Sequence, residues 1–139
     1  MAGTKRLALA CLSGFVAAGI VSCSHQPRAG TSQPPSPATR AAAATSYYRA
    51  IAARNYRLAF AYFAASATRP DGRRLTWRAF VNLARMMDGQ EGPVISSSVA
   101  VYQSLIVATI ERKRAGPYHA HLRVSRTGGA WRIIFIDRV

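Results

Sequence analysis

The chain has 139 residues, and 19 lysines and arginines stand against 5 aspartates and glutamates, a formal charge of +14. That length leaves room for one small domain after any leader. Its two cysteines, Cys11 and Cys23, both lie near the N-terminus, which excludes a disulfide framework further on, so the folded part must be held by its core.

Lys5 and Arg6 form a short positive region ahead of an uncharged Ala/Leu/Val-rich run from Leu7 to Val21. The run has the length of a signal-peptide apolar segment and falls short of the roughly 20 residues a spanning helix needs. Ile20-Val21-Ser22-Cys23 resembles a bacterial lipobox, with an aliphatic residue three before the cysteine and a small one just before it. The resemblance implies a lipoprotein signal peptide over residues 1–22, cleavage after Ser22, and a thioether from the Cys23 sulfur to a diacylglyceryl group. It implies a protein anchored by lipid to the extracytoplasmic face of the cell membrane. Leu9-Ala10-Cys11 has a similar form, but too little apolar chain precedes it. The alternative is a plain signal peptide or uncleaved anchor with an incidental cysteine.

Without Lys5 and Arg6, the 19 basic side chains become 17 against 5 acidic ones, a balance of +12, and Lys113 is the only lysine left. So basic a domain would ordinarily suggest nucleic acid. An export signal argues against it, and anionic lipid headgroups or wall polymers are the expected neighbours. The plainer alternative is an arginine-rich solvated surface. Residues 23–40, with "SQPPSPATR", read as a disordered Pro/Ser-rich tether. At roughly 3.1 Å per residue in a polyproline conformation it reaches about 50 Å.

From Ala41 to Val139 the pattern is that of a folded domain. "ATSYYRAIAARNYRLAFAYFAAS" places Tyr48 with Ile51, and Tyr56, Ala59, Phe60 and Phe63, at helical spacing. Asn55 marks a break, giving two short helices or one kinked one. "RPDGRR" is a turn. Thr76 can cap a third helix in which Trp77, Phe80, Ala84 and Met87 share a buried face, opposite Arg78, Asn82 and Arg85. "DGQEGP" stops it. Four strands follow: Val94 to Tyr102, Leu105 to Arg112, Tyr118 to Arg126 and Ala130 to Arg138, with hairpin turns expected at "RAGP" and "TGG" and weakly at Gln103-Ser104. Tyr118, Ala120, Leu122 and Val124 alternate with His119, His121, Arg123 and Ser125, one face buried and one wet. The last strand is apolar on both faces, which suggests a central strand or one meeting a second subunit.

Helices followed by an antiparallel sheet make an α+β layout, with N-terminal helices packed on a curved antiparallel sheet of about four strands. "YYRAIAARNYRLAFAYFA", the "GPV" that opens the first long strand and the terminal "GGAWRI" resemble the NTF2-like, cystatin-like domains of exported bacterial proteins. The resemblance implies a conical pocket, for which Tyr48, Tyr62, Trp77, Tyr118, Trp131 and Phe135 are the lining candidates. Trp131 is expected to pack on the helical layer near Tyr48 and Tyr62. Members of the family include isomerases, dehydratases and non-catalytic modules, so the fold leaves the chemistry open.

The chemical inventory is thin. Asp71, Asp88 and Glu91 fall in predicted turns and read as solvated loop residues, and Glu111 stands beside Arg112, Lys113 and Arg114, where an ion pair is expected. Asp137 shares parity with Trp131, Ile133 and Phe135, which would set it at the mouth of the buried face as a weak catalytic candidate, since burial there would raise its pKa. His119 and His121 point one way, but zinc or copper needs further ligands that the strand does not supply, and no metal or cofactor is expected. The expected protein is a lipid-anchored, non-catalytic binding or scaffold module, with an envelope protein or a second copy as partner. The alternative is an isomerase- or dehydratase-type enzyme acting on a small apolar substrate through Asp137 and a pocket tyrosine.

Overall fold

A computed structural model describes residues 35–139; the leader, Cys23 and most of the tether lie outside the described residues. Helix α1 (Arg40–Ala52) buries Ala43, Ala44, Tyr47, Tyr48, Ala50 and Ile51 on one face. Its first turn is closed by Thr39, whose side chain accepts from the Ala42 N–H at 3.0 Å. Arg54, at φ 54°, breaks the helix. The Asn55 side chain then accepts from the Leu58 N–H at 3.1 Å and starts a second helix, α2 (Tyr56–Phe60).

The sequence pattern continues the helix through Phe63, and the structure does not. Phe63–Thr68 is a strand, β1, parallel to the last strand of the sheet. Helix propensity in "FAASAT" is overridden because the doubly apolar last strand needs a neighbour on its open edge. The "RPDGRR" turn follows, with Asp71 pairing Arg69 at 2.6 Å and accepting from the Arg73 N–H at 3.0 Å. Thr76 then caps α3 (Trp77–Gln90) by accepting from the Ala79 N–H at 3.3 Å. Phe80, Ala84 and Met87 are buried and Arg78, Asn82 and Arg85 exposed, as their spacing requires, but Trp77, expected on the same buried face, is 41% exposed, because at the first turn of the helix it meets an open cavity instead of the core. Gly92 ends the helical segment at φ +83°, and a Cβ there would meet the Lys113 Cβ at 3.0 Å, so only glycine fits.

Four further strands, β2 (Val94–Tyr102), β3 (Leu105–Arg112), β4 (Ala115–Thr127) and β5 (Ala130–Ile136), complete a sheet of order β1-β5-β4-β3-β2. All pairs but β1–β5 are antiparallel. The sheet therefore has five strands, one more than the sequence pattern shows. The β3–β4 turn sits at Lys113–Arg114, so "AGP" belongs to β4, with Pro117 beside an irregularity in the ladder where its missing N–H is tolerated. Gly128 and Gly129, at φ 58° and 82°, make the two-residue turn into β5.

Tyr47, Tyr48 and Ile51 of α1 pack with Ile106, Ala108, Ile110, Ala120, Leu122, Ile133 and Ile136 of the sheet in one continuous core. Burying a large apolar side chain of this kind contributes about 1.5–3 kcal/mol. Phe80 joins α3 to that core, its ring 5.5 Å from Phe63 and 6.4 Å from Tyr47. The fold is the expected α+β arrangement of helices on a mainly antiparallel sheet.

One irregularity decides the faces of β5. Val124 pairs with Ile133, but Arg123 pairs with Phe135, so Ile134 is an extra residue between them. Beyond this bulge the parity flips. Ile136 turns inward against Leu122, while Phe135 and Asp137 turn to the outer face with Arg123 and His121.

Candidate functional site

A cavity of about 580 Å³ opens between α2, β1, the segment leading into α3 and the β4–β5 hairpin. The elements that build it follow from local sequence. Asn55 ends the first helical stretch and sets Phe60 on α2, and the turn through Asp71 and Gly72 returns the chain so that Arg74 and Leu75 face β1. Its apolar wall is Phe60, Phe63, Leu75 and Trp77; Phe60 lies 5.5 Å from the Trp77 ring and 6.0 Å from Phe63.

Two guanidinium groups line the same space. Arg74 donates through Nε to the Ala65 carbonyl at 2.7 Å, and Arg132 through Nη1 to the Ala61 carbonyl at 3.0 Å. Each is thereby fixed to backbone at the cavity edge with further N–H groups left over. No carboxylate, imidazole or thiol is among the lining residues.

A second polar assembly lies at the other end of the helix layer. Arg112 continues the inward series Ile106, Ala108, Ile110 on β3, and its side chain is 0% exposed. It donates to Asp88 Oδ1 at 2.8 Å, to the Gly92 carbonyl at 2.9 Å, to the Tyr118 hydroxyl at 3.0 Å and to the Val139 carbonyl at 3.3 Å. Glu91 stands 3.7 Å away. Burial pulls the Arg112 pKa down, but the bonds to Tyr118 and Asp88 outweigh it and leave the guanidinium held more firmly protonated than usual. Asp88 also accepts from the Tyr56 hydroxyl at 2.5 Å. Burial first, and that hydrogen bond second, push the Tyr56 pKa up to about 12.

Asp88 and Glu91 are therefore not solvated turn residues. Asp88 lies on α3 with its side chain 8% exposed. Both charges are drawn inward by an arginine that the alternation of β3 carries into the core. Glu111, by contrast, points outward and accepts from Ser96.

The cavity gathers few of the residues the sequence nominates for it. Trp77 lines it. Tyr48 and Tyr62 are in the core, and Tyr118 belongs to the Arg112 assembly. Trp131 lies under the start of α1, half-buried, with Arg40 5.8 Å from its ring and its main-chain N–H donating to the Pro37 carbonyl at 3.4 Å. Phe135 is on the outer face with Arg123 stacked 4.7 Å above it.

Asp137 is displaced in the same way. The bulge at Ile134 carries it out of the buried face, where it accepts from the His121 N–H at 2.7 Å and meets His121 Nδ1 at 2.7 Å. His119 faces Thr109 at 3.1 Å, so the two histidines have different partners. Phe60, Leu75, Arg74 and Arg132 carry the cavity, and none was singled out for it from the sequence. Arg112 had a visible signal, a charge at an inward position of an otherwise apolar strand face.

Within the core, the hydroxyls of Tyr47 and Tyr48 have no hydrogen-bond partner, and burial raises the pKa of both.

No protein-family model matches the chain, and no curated protein matches it. Solved structures do. A structure from Thiobacillus denitrificans, provisionally described as a calcium/calmodulin-dependent protein kinase type II association domain, is similar at 19% identity, covering 74% of this chain and 95% of its own, with a TM-score of 0.54. A Nostoc punctiforme protein of unknown function with a cystatin-like fold is similar at 12% identity, covering 68% of this chain and 83% of its own, TM-score 0.47. A Silicibacter pomeroyi NTF2-like protein of unknown function is similar at 21% identity, covering 69% and 87%, TM-score 0.44. At such identities the likeness is one of fold.

Proposed function

We propose that this protein is a non-catalytic binding module of the cell envelope, held by a lipid on Cys23 at the extracytoplasmic face of the membrane. The observation that carries the binding role is the cavity between α2, β1 and α3. Its wall is aromatic and aliphatic, and its ionisable lining groups are two arginines, which donate hydrogen bonds and accept none. Such a lining orients a ligand and offers no acid or base for turnover. The enzyme reading draws no support from Asp137, which is not among the residues lining the cavity and pairs with His121.

The anchor rests on the lipobox ahead of a solitary downstream cysteine. Metabolic labelling with an alkyne fatty acid should tag the wild type and leave Cys23→Ser untagged; equal tagging of both would refute it. The arginines extend the same reading to anionic lipid as a neighbour. Arg57, Arg78 and Arg85 are exposed on α2 and α3, and each arginine near an anionic surface contributes about 1 kcal/mol.

A further inference from the structure

We propose that the cavity between α2, β1 and α3 is a site for an amphipathic monoanion, an aliphatic carboxylate whose chain enters the aromatic wall while its head meets Arg74 and Arg132. The inference rests on the reading of this cavity as a ligand site and adds the chemical class of the ligand.

Two features of the lining are hard to reconcile with an uncharged apolar ligand alone. Each guanidinium donates one hydrogen bond to a main-chain carbonyl, Ala65 for Arg74 and Ala61 for Arg132, which narrows its orientations before anything binds. Fixing a guanidinium to backbone removes much of the side-chain entropy that binding would otherwise cost. Neither group meets a carboxylate within ion-pair distance, and no acidic residue lines the space, so the local charge is uncompensated by the lining itself.

An anionic head supplies that compensation. Carboxylate geometry matches the guanidinium fork, and charge-assisted bonds are the stronger kind. Thr76, at the start of α3, lines the same cavity and places the positive end of a 14-residue helix beside it. The aromatic and aliphatic wall, Phe60, Phe63, Leu75 and Trp77, has no polar side-chain group except the Trp77 N–H, and the Thr127 hydroxyl lies with Arg132 on the hairpin side. A ligand with polar groups along its whole length would leave them unpaired there. A chain with one charged end leaves none.

Octanoate and octan-1-ol differ in this charge and share the chain, so they separate the two halves of the inference. Calorimetry on residues 35–139, which bury a continuous core of their own, gives the affinities. Trp77 at the cavity wall provides a fluorescence change that Trp77→Phe should abolish. Octanoate should bind about tenfold more tightly than octan-1-ol. Arg74→Gln and Arg132→Gln should each weaken octanoate about fivefold and leave octan-1-ol unchanged. Arg85→Gln, which removes an exposed charge that does not line the cavity, should change neither. Equal affinity for the two probes overturns the anion preference while leaving a ligand cavity in place, and it does so on the wild type whatever the variants do. Weakening by Arg85→Gln as large as that by Arg74→Gln also overturns it, because the charge effect would then be a general field. Failure of octanoate to bind overturns it outright.

Discussion

Arg112→Met is the sharpest probe of what holds this domain together. Methionine keeps much of the length and apolar stem of arginine, so the substitution removes charge and donors without opening a large void. It leaves the Asp88 carboxylate, 8% exposed, without the guanidinium at 2.8 Å, and takes the donor from the Gly92 carbonyl. Removing one member of a buried ion pair typically costs about 3–5 kcal/mol, because the other charge stays buried. Asp88 retains the Tyr56 hydroxyl at 2.5 Å and the exposed Arg54 at 3.4 Å, so the lower end, about 3 kcal/mol, is expected. That is a large share of the roughly 5–15 kcal/mol available to a domain of this kind. In urea, with a slope of about 1–3 kcal/mol per molar, the midpoint should fall by about 1–3 M at unchanged slope. The double variant Asp88→Leu/Arg112→Met removes both charges and should recover most of the loss. A single variant within 1 kcal/mol of wild type, or a double variant no better than the sum of the singles, would refute the reasoning.

Three further outcomes follow from other buried groups. Tyr48→Phe removes a hydroxyl that is buried without a partner and should raise the urea midpoint, a gain of about 1 kcal/mol; a loss of that size would mean the hydroxyl has a partner such as a bound water. Tyr47 and Tyr48 have folded-state pKa values above the ordinary 10.0, so the stability tied to their neutral forms is complete below about pH 10 and drains away as pH rises beyond it. Absorbance at 295 nm should show both ionising together with loss of near-ultraviolet dichroism, and ionisation near pH 10 in a domain still folded would contradict the burial. Trp131→Ala should cost about 1–2 kcal/mol by urea unfolding, below the roughly 3–5 of a fully buried tryptophan, since the residue is only partly buried, beside Arg40; failure of the variant to accumulate would overturn that placement.

Much of the architecture was legible before folding was considered. The alternation from Tyr118 to Ser125, the Thr76 cap, the break at Asn55 and the Gly128-Gly129 turn are local rules, satisfied by residues within a few positions of one another. Period and capping therefore determined three helices, four of the five strands and the α+β class. What depended on distant partners was not legible. Phe63–Thr68 becomes a strand because β5 offers it an edge 70 residues away, from Phe63 to Ile133, against its own helical preference. The inserted Ile134 cannot be seen without the β4 ladder, yet it flips Phe135 and Asp137 to the outer face and removes the one catalytic candidate from the buried side. The cavity is made where α2, β1, α3 and the β4–β5 hairpin meet, so Arg74 and Arg132, 58 positions apart, are joined only once β1 has paired with β5. Hydrogen bonds within a turn are fixed by neighbours in sequence, whereas strand register and cavity walls are fixed by whichever surfaces the collapsed chain brings together.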